Sequence, residues 1–136
     1  MNEKLPRGLR NNNPLNIRKS STPWQGKKAV STDPAFEQFT SLEYGIRAGM
    51  VNIRTYLKRD RLQNVTQIIN KWAPKSDGNN TQAYIDAVCK KATIKPFEII
   101  KYNDKNTICR LVWAMAFVEC GQEISFGRVC NAWALI

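Results

Sequence analysis

The chain has 136 residues, 43% of them apolar, with four tryptophans and a net charge of +10. That length suits a single domain with one core, and the composition argues against a disordered chain. The chain has no histidine. This excludes Ser-His-Asp and Cys-His catalysis, an HExxH zinc site and a histidine-bearing zinc finger.

The four cysteines, Cys89, Cys109, Cys120 and Cys130, form no CxxC pair, and each sits in an apolar helical context. Free, buried thiols are expected. No apolar run is long enough to span a membrane, and the longest, 111–118, belongs in a buried helix. The first eight residues lack the apolar core of a signal peptide, so no ordinary leader is expected. The positive charge suits nucleic acid, an anionic membrane or another acidic polymer such as a bacterial wall, and charge alone does not choose among them. The basic residues do not alternate with aromatics as a nucleic-acid stacking surface would.

The first forty residues lack helical periodicity and are rich in Asn, Pro, Ser, Thr and Gly. They predict a loop-rich lobe with at most a small hairpin. Within it, Arg10-Asn-Asn-Asn-Pro-Leu-Asn-Ile-Arg18 reads as a series of Asx turns, although its amides would also suit sugar hydroxyls and N-acetyl groups. Trp24 either stacks on a sugar face or plugs the core. Asp33, before Pro34, has the pattern of a turn initiator, and Glu37 is expected to be solvated.

Helices follow. Thr40 and Glu43 have capping-box spacing ahead of the stripe Ile46, Met50, Ile53 and Leu57. Asn64 and Gln67 cap a shorter helix that carries Ile68, Ile69 and Trp72 and stops at Pro74. A third starts near Asn80 or Thr81, with Tyr84, Ile85, Val88 and Cys89 on its apolar side. After an ambiguous piece at 96–100, Asn103 or Asp104 caps the most apolar helix, which Gly121 ends. Ile108, Leu111, Val112, Met115 and Phe117 are its expected core residues. Ser125 caps a last helix with Phe126, Val129 and Trp133 on one face. The fold class is therefore mainly α (α+β), a helical lobe beside a small loop or hairpin lobe with a cleft between them.

Glu119 lies in the last turn of the apolar helix, on the stripe of Val112, Met115 and Ala116. Burial and the helix dipole both favour the protonated form of a carboxyl placed there, which is what a general acid requires. A Glu that reaches past the helix end into solvent is the alternative.

The front of the chain resembles the lysozyme-like glucosaminidases of bacterial autolysins. The matching pieces are Asn13-Pro-Leu-Asn-Ile-Arg18, Trp24-Gln-Gly26, Thr32-Asp33 and Phe36-Glu-Gln-Phe39. Those enzymes begin with a helix that ends in E-S-G-x-G and holds the catalytic acid. Here Ala114-Met-Ala-Phe-Val-Glu-Cys-Gly121 looks like the same element moved by circular permutation. From about residue 7 to 121 the chain also resembles small lysozyme-like virion proteins of phages and prophages. That resemblance rests on Arg7-Gly-Leu-Arg-Asn-Asn-Asn-Pro-Leu-Asn-Ile-Arg18, Asp33-Pro-Ala-Phe36, Glu43-Tyr-Gly-Ile-Arg-Ala48, Trp72-Ala-Pro74 and Asn80-Thr-Gln-Ala-Tyr-Ile85, in that order. Val118 and Cys120 stand where that pattern has His and Asn beside the acid.

The resemblance implies a single lysozyme-like domain over 1–136 that cuts the glycan strands of peptidoglycan. Glu119 would be the general acid. Asp33, from the threonine-acid pair, would be the second carboxyl facing it across the cleft. Asn13, Asn16, Trp24 and Tyr84 would bind substrate. Without a second acid, a lytic transglycosylase route stays open. No metal or cofactor is implied. The partners would be peptidoglycan, with virion proteins or a holin or secretion system for delivery. Nucleic-acid binding and membrane insertion are not expected, and the protein would act as a monomer. It would be made in the cytoplasm and act in the periplasm or wall. The alternatives are a non-catalytic phage structural or wall-binding protein with the same fold, and a basic nucleic-acid-binding module.

Overall fold

A computed structural model describes residues 5–136; the first four residues, which belong to the segment read above for a leader, lie outside the described residues. The chain is mainly helical. It runs α1 (Arg7–Arg10), α2 (Leu42–Lys58), α3 (Val65–Trp72), a 3-10 turn (Lys75–Asp77), α4 (Thr81–Ala92), α5 (Lys105–Cys120) and α6 (Phe126–Trp133). Between α1 and α2, the β content of the described residues is two isolated antiparallel bridges, Arg18 with Phe36 and Lys27 with Phe39.

The helix ends follow side-chain capping. Asn64, Asn80, Asp104 and Ser125 each accept a hydrogen bond from the backbone N–H three residues on, which satisfies an orphan donor of the first turn. At α2 the cap is Ser41, which accepts from the Tyr44 N–H, and not Thr40. Glu43 is therefore free of the expected capping box, and both its oxygens take the Arg128 guanidinium at 2.8 and 3.0 Å. Gly121, at φ 71°, ends α5 in the left-handed conformation.

Helix α5 is the central element and packs against α4, α6, α2 and α1. Ile108, Leu111, Val112 and Met115 are fully buried on it. Phe117 is not a core residue as expected: it is 39% exposed, with the Lys91 ammonium 4.3 Å from its ring centroid. The stripe Ile46, Met50, Ile53 and Leu57 is buried, as its spacing predicts. All four cysteines are free; Cys109 and Cys120 are buried, and Cys89 and Cys130 partly so. Burial pushes the Cys109 thiol up to about 12, with the neighbouring Cys130 thiol adding to the shift.

The asparagine-rich segment is held by its own amides. Asn13 is fully buried; it accepts from the Ile17 N–H and donates to the carbonyls of Ile17 and Glu37. Asn12 adopts φ 52° and donates to the Phe39 carbonyl. These bonds tie the 11–17 turn to the 36–39 piece and satisfy groups that burial would otherwise strand.

The lobe then seats on α2 through glycine. A Cβ on Gly45 would overlap the Asn12 carbonyl, and one on Gly49 would lie 2.8 Å from Leu15 Cγ. Gly45→Ala must push backbone from backbone, so we expect a loss of about 3 kcal/mol, the upper range for overpacking. A urea unfolding midpoint equal to the wild type's would show that the contact can relax freely.

Candidate functional site

The site forms where the end of α5 meets the front lobe and the α3–α4 region. Glu119 is partly buried and lines a groove of about 390 Å³ with Asn16, Arg18, Phe36, Asn52, Tyr56, Trp72, Asp77 and Asn79, above Leu15, Ile17 and Ala73. Larger hollows lie elsewhere on the surface, one of about 580 Å³ between residues 57–63 and 99–103. The Glu119 groove combines a held carboxyl with convergent amides and aromatic rings, the pattern of a ligand site.

Three neutral donors from three parts of the chain hold the Glu119 carboxyl. The Asn16 amide donates to Oε1 at 3.0 Å. The Trp72 indole N–H and the Tyr84 hydroxyl donate to Oε2 at 3.3 and 2.9 Å. Burial, and then the negative charge of Glu119, hold the Tyr84 hydroxyl far above its ordinary range, so it stays a donor. With two donors on Oε2 and one on Oε1, Oε1 keeps a lone pair able to carry and deliver a proton. Asn16 reaches the carboxyl because its backbone sits at φ 53°, a left-handed position that Asn tolerates.

The expected site residues separate into two groups. Glu119 and Asn16 line the groove, and Tyr84 binds the Glu119 carboxyl itself. Asn13 is instead an internal clamp of the loop. Trp24 packs partly buried on the core, its indole N–H buried without a partner, and is not among the groove-lining residues.

Asp33 does not line the groove either. Both its oxygens bind Arg7, each at 2.7 Å, and the carboxylate also accepts from the Asn11 amide and the N–H groups of Ala35 and Phe36. The Arg7 guanidinium holds this carboxyl well below the usual carboxylate range, against the opposing effect of burial. A carboxylate so committed shapes a turn and is unsuited to a reaction. Glu37, expected to be solvated, is fully buried against Lys27 at 3.0 Å.

A depressed carboxyl stabilises the fold above its unfolded pKa of about 3.9, and that stability is lost as pH falls from there toward the lower folded value. Asp33→Asn should therefore be less stable than wild type at pH 7, with the difference shrinking below about pH 4. Urea midpoints across this range check it; a difference independent of pH would exclude the ionised Asp33 as its source.

Reasoning from the sequence missed Trp72, Asn52, Tyr56 and Asp77. Trp72 counted as an apolar residue because only its ring entered the helical pattern. Asn52 and Tyr56 stand four apart on α2, beside the buried stripe, and that i, i+4 polar pair was the available signal. Asp77 reaches the groove through the 3-10 turn, which no periodicity marks.

Among the described residues, no cluster of three or more His, Cys, Asp or Glu side chains could hold a metal ion. No described helix is long and apolar enough to cross a membrane.

These features define a mainly helical protein with a polar groove built around one hydrogen-bonded glutamate. No family model matches the chain. It is 41% identical over 120 residues to Protein P5 of Pseudoalteromonas phage PM2, an alignment covering 86% of this chain and 72% of that protein. At that identity and coverage the chain belongs to the family of this phage Protein P5.

Proposed function

We propose that this protein is a lysozyme-like enzyme of phage or prophage origin that cleaves the glycan strands of peptidoglycan. The observation that carries the reading is the Glu119 carboxyl, fixed by Asn16, Trp72 and Tyr84 at the floor of an amide-lined groove. Asn52 offers a paired donor and acceptor for an N-acetyl group, the Asn16 and Asn79 amide nitrogens being engaged by Glu119 and the Pro74 carbonyl, and Tyr56 and Trp72 offer aromatic surface for sugar rings. The lysozyme-like topology, permuted so that the acid-bearing helix comes late in the chain, belongs to the same proposal. So does delivery to the wall by phage machinery.

In the hydrolysis proposed, Glu119 Oε1 gives its proton to the glycosidic oxygen as the bond from that oxygen to C1 breaks. A water molecule supplies the new oxygen at C1. Its proton passes to Asp77, the other carboxylate in the groove. Asp77 thus takes the role expected of Asp33. Asp77→Asn should lower turnover on sacculi by roughly a hundredfold, the ordinary range for losing a general base, and leave binding to sacculi nearly unchanged. Wild-type turnover in Asp77→Asn would remove the second acid and favour a lytic transglycosylase route with Glu119 as both acid and base.

A second reading is a non-catalytic wall-binding virion protein. It draws on Val118 and Cys120, which replace the polar neighbours of the acid in the pattern that the chain resembles. Zymogram clearing by the purified protein separates the two: clearing supports the enzyme, and retention on sacculi without clearing supports the binding protein.

A further inference from the structure

Asp33, Arg7, Phe36 and Arg18 form a continuous stack from the interior of the front lobe to the groove. Asp33 grips Arg7 through both carboxylate oxygens, each at 2.7 Å. The Arg7 guanidinium carbon lies 4.7 Å from the Phe36 ring centroid, and that of Arg18 lies 4.8 Å from the same centroid. The backbone bridge between Arg18 and Phe36 keeps these two residues side by side. Asp33 neutralises Arg7, so the ring that carries Arg18 is not flanked by a second uncompensated cation.

Arg18 itself differs from Arg7. Among the described residues it forms no ion pair, and its side chain is exposed on the groove wall together with Phe36. A guanidinium stacked on an aromatic face is oriented in advance, and its planar fork of donors matches a carboxylate. The groove therefore presents one positioned and unpaired cation beside the Glu119 site.

We propose that Arg18 is a carboxylate receptor, which selects glycans bearing an acidic lactyl-peptide arm over neutral N-acetylated glycans. This rests on the glycan-strand reading above and deepens it. Alternate sugars of peptidoglycan carry that arm, whereas chitin-type strands carry none, so one cation suffices to tell them apart.

Calorimetric titration of the wild type and Arg18→Gln tests this with two probes, a disaccharide-tetrapeptide and neutral chitotetraose. We expect the substitution to weaken binding of the disaccharide-tetrapeptide about tenfold, the worth of a hydrogen-bonded charge pair, and to leave chitotetraose within about twofold. The wild type's preference for the acidic probe should also shrink with added salt, since an exposed pair is screened. Arg18→Lys, which keeps the charge but not the planar fork, should recover only part of the affinity. Equal loss on both probes, no loss on either, or no binding of the acidic probe by the wild type would overturn the inference. Failure of the enzyme reading looks different: Arg18-dependent binding with no glycan cleavage would keep the receptor and discard the catalysis. Cleavage with Arg18→Gln indistinguishable from wild type on both probes would do the reverse.

Discussion

Glu119→Gln is expected to abolish the lysis of purified sacculi, with a loss of roughly a hundredfold or more, the scale of general acid catalysis. The substitution is close to isosteric. Its amide oxygen can still accept from the Trp72 indole and the Tyr84 hydroxyl, which now meet on Oε2. Its amide nitrogen would face the Asn16 amide, which can turn to present its own oxygen. The fold should therefore survive with an unfolding midpoint close to the wild type's, and only the transferable proton is lost. A folded Glu119→Gln protein that clears sacculi at the wild-type rate would sink the assignment of Glu119.

Deleting residues 105–136 should unfold the protein outright. The deletion removes α5 and α6, and with them Ile108, Leu111, Val112 and Met115, each fully buried. Burying one such side chain contributes about 1.5–3 kcal/mol, so four approach the entire stability of a small domain, about 5–15 kcal/mol. The faces of α2 and α4 that pack on α5 would be left open to water. Circular dichroism and urea titration of the truncated chain should show no cooperative transition. A sharp transition would mean that the first hundred residues hold a core of their own and that α5 is peripheral.

The helical part of this fold was legible because local chemistry specifies it. Asn64, Asn80, Asp104 and Ser125 cap where short polar residues precede apolar periodicity, and Gly121 stops α5 as an isolated glycine after an apolar run should. Glu119 was legible for a similar reason: a carboxyl on an apolar helix face is conspicuous. The front lobe was less legible, since its order comes from contacts distant in sequence. Asp33 reads as a turn residue or as a catalyst until Arg7, 26 positions away, is found in both its oxygens. Glu37 reads as solvated because alternation defines two faces of a strand but not which one is covered. Phe117 erred the other way, because periodicity does not show that the last turn of α5 leaves the core. Asp77 depends on where a loop folds, and three of the four asparagines at 11–16 proved to be internal fastenings, leaving Asn16 to face the site.

Placing Tyr84 and Trp72 on Glu119 also changes how the α3–α4 region is understood. The Thr81 hydroxyl donates to the Ala73 carbonyl at 2.6 Å and binds the start of α4 to the end of α3. That joint holds both donors against the carboxyl while leaving the 3-10 turn with Asp77 exposed at the groove. The groove is thus assembled from five separate stretches of chain, 15–18, Phe36, the middle of α2, 72–79 and the end of α5.

The most direct test of the central claim is mass spectrometry of the soluble products released from purified sacculi. Glycan hydrolysis driven by Glu119 predicts disaccharide-peptides with intact stem peptides and a reducing sugar end, one water heavier than the corresponding anhydro form, absent from the Glu119→Gln digest. Intact sacculi, or release of peptides from uncut glycan strands, would contradict it.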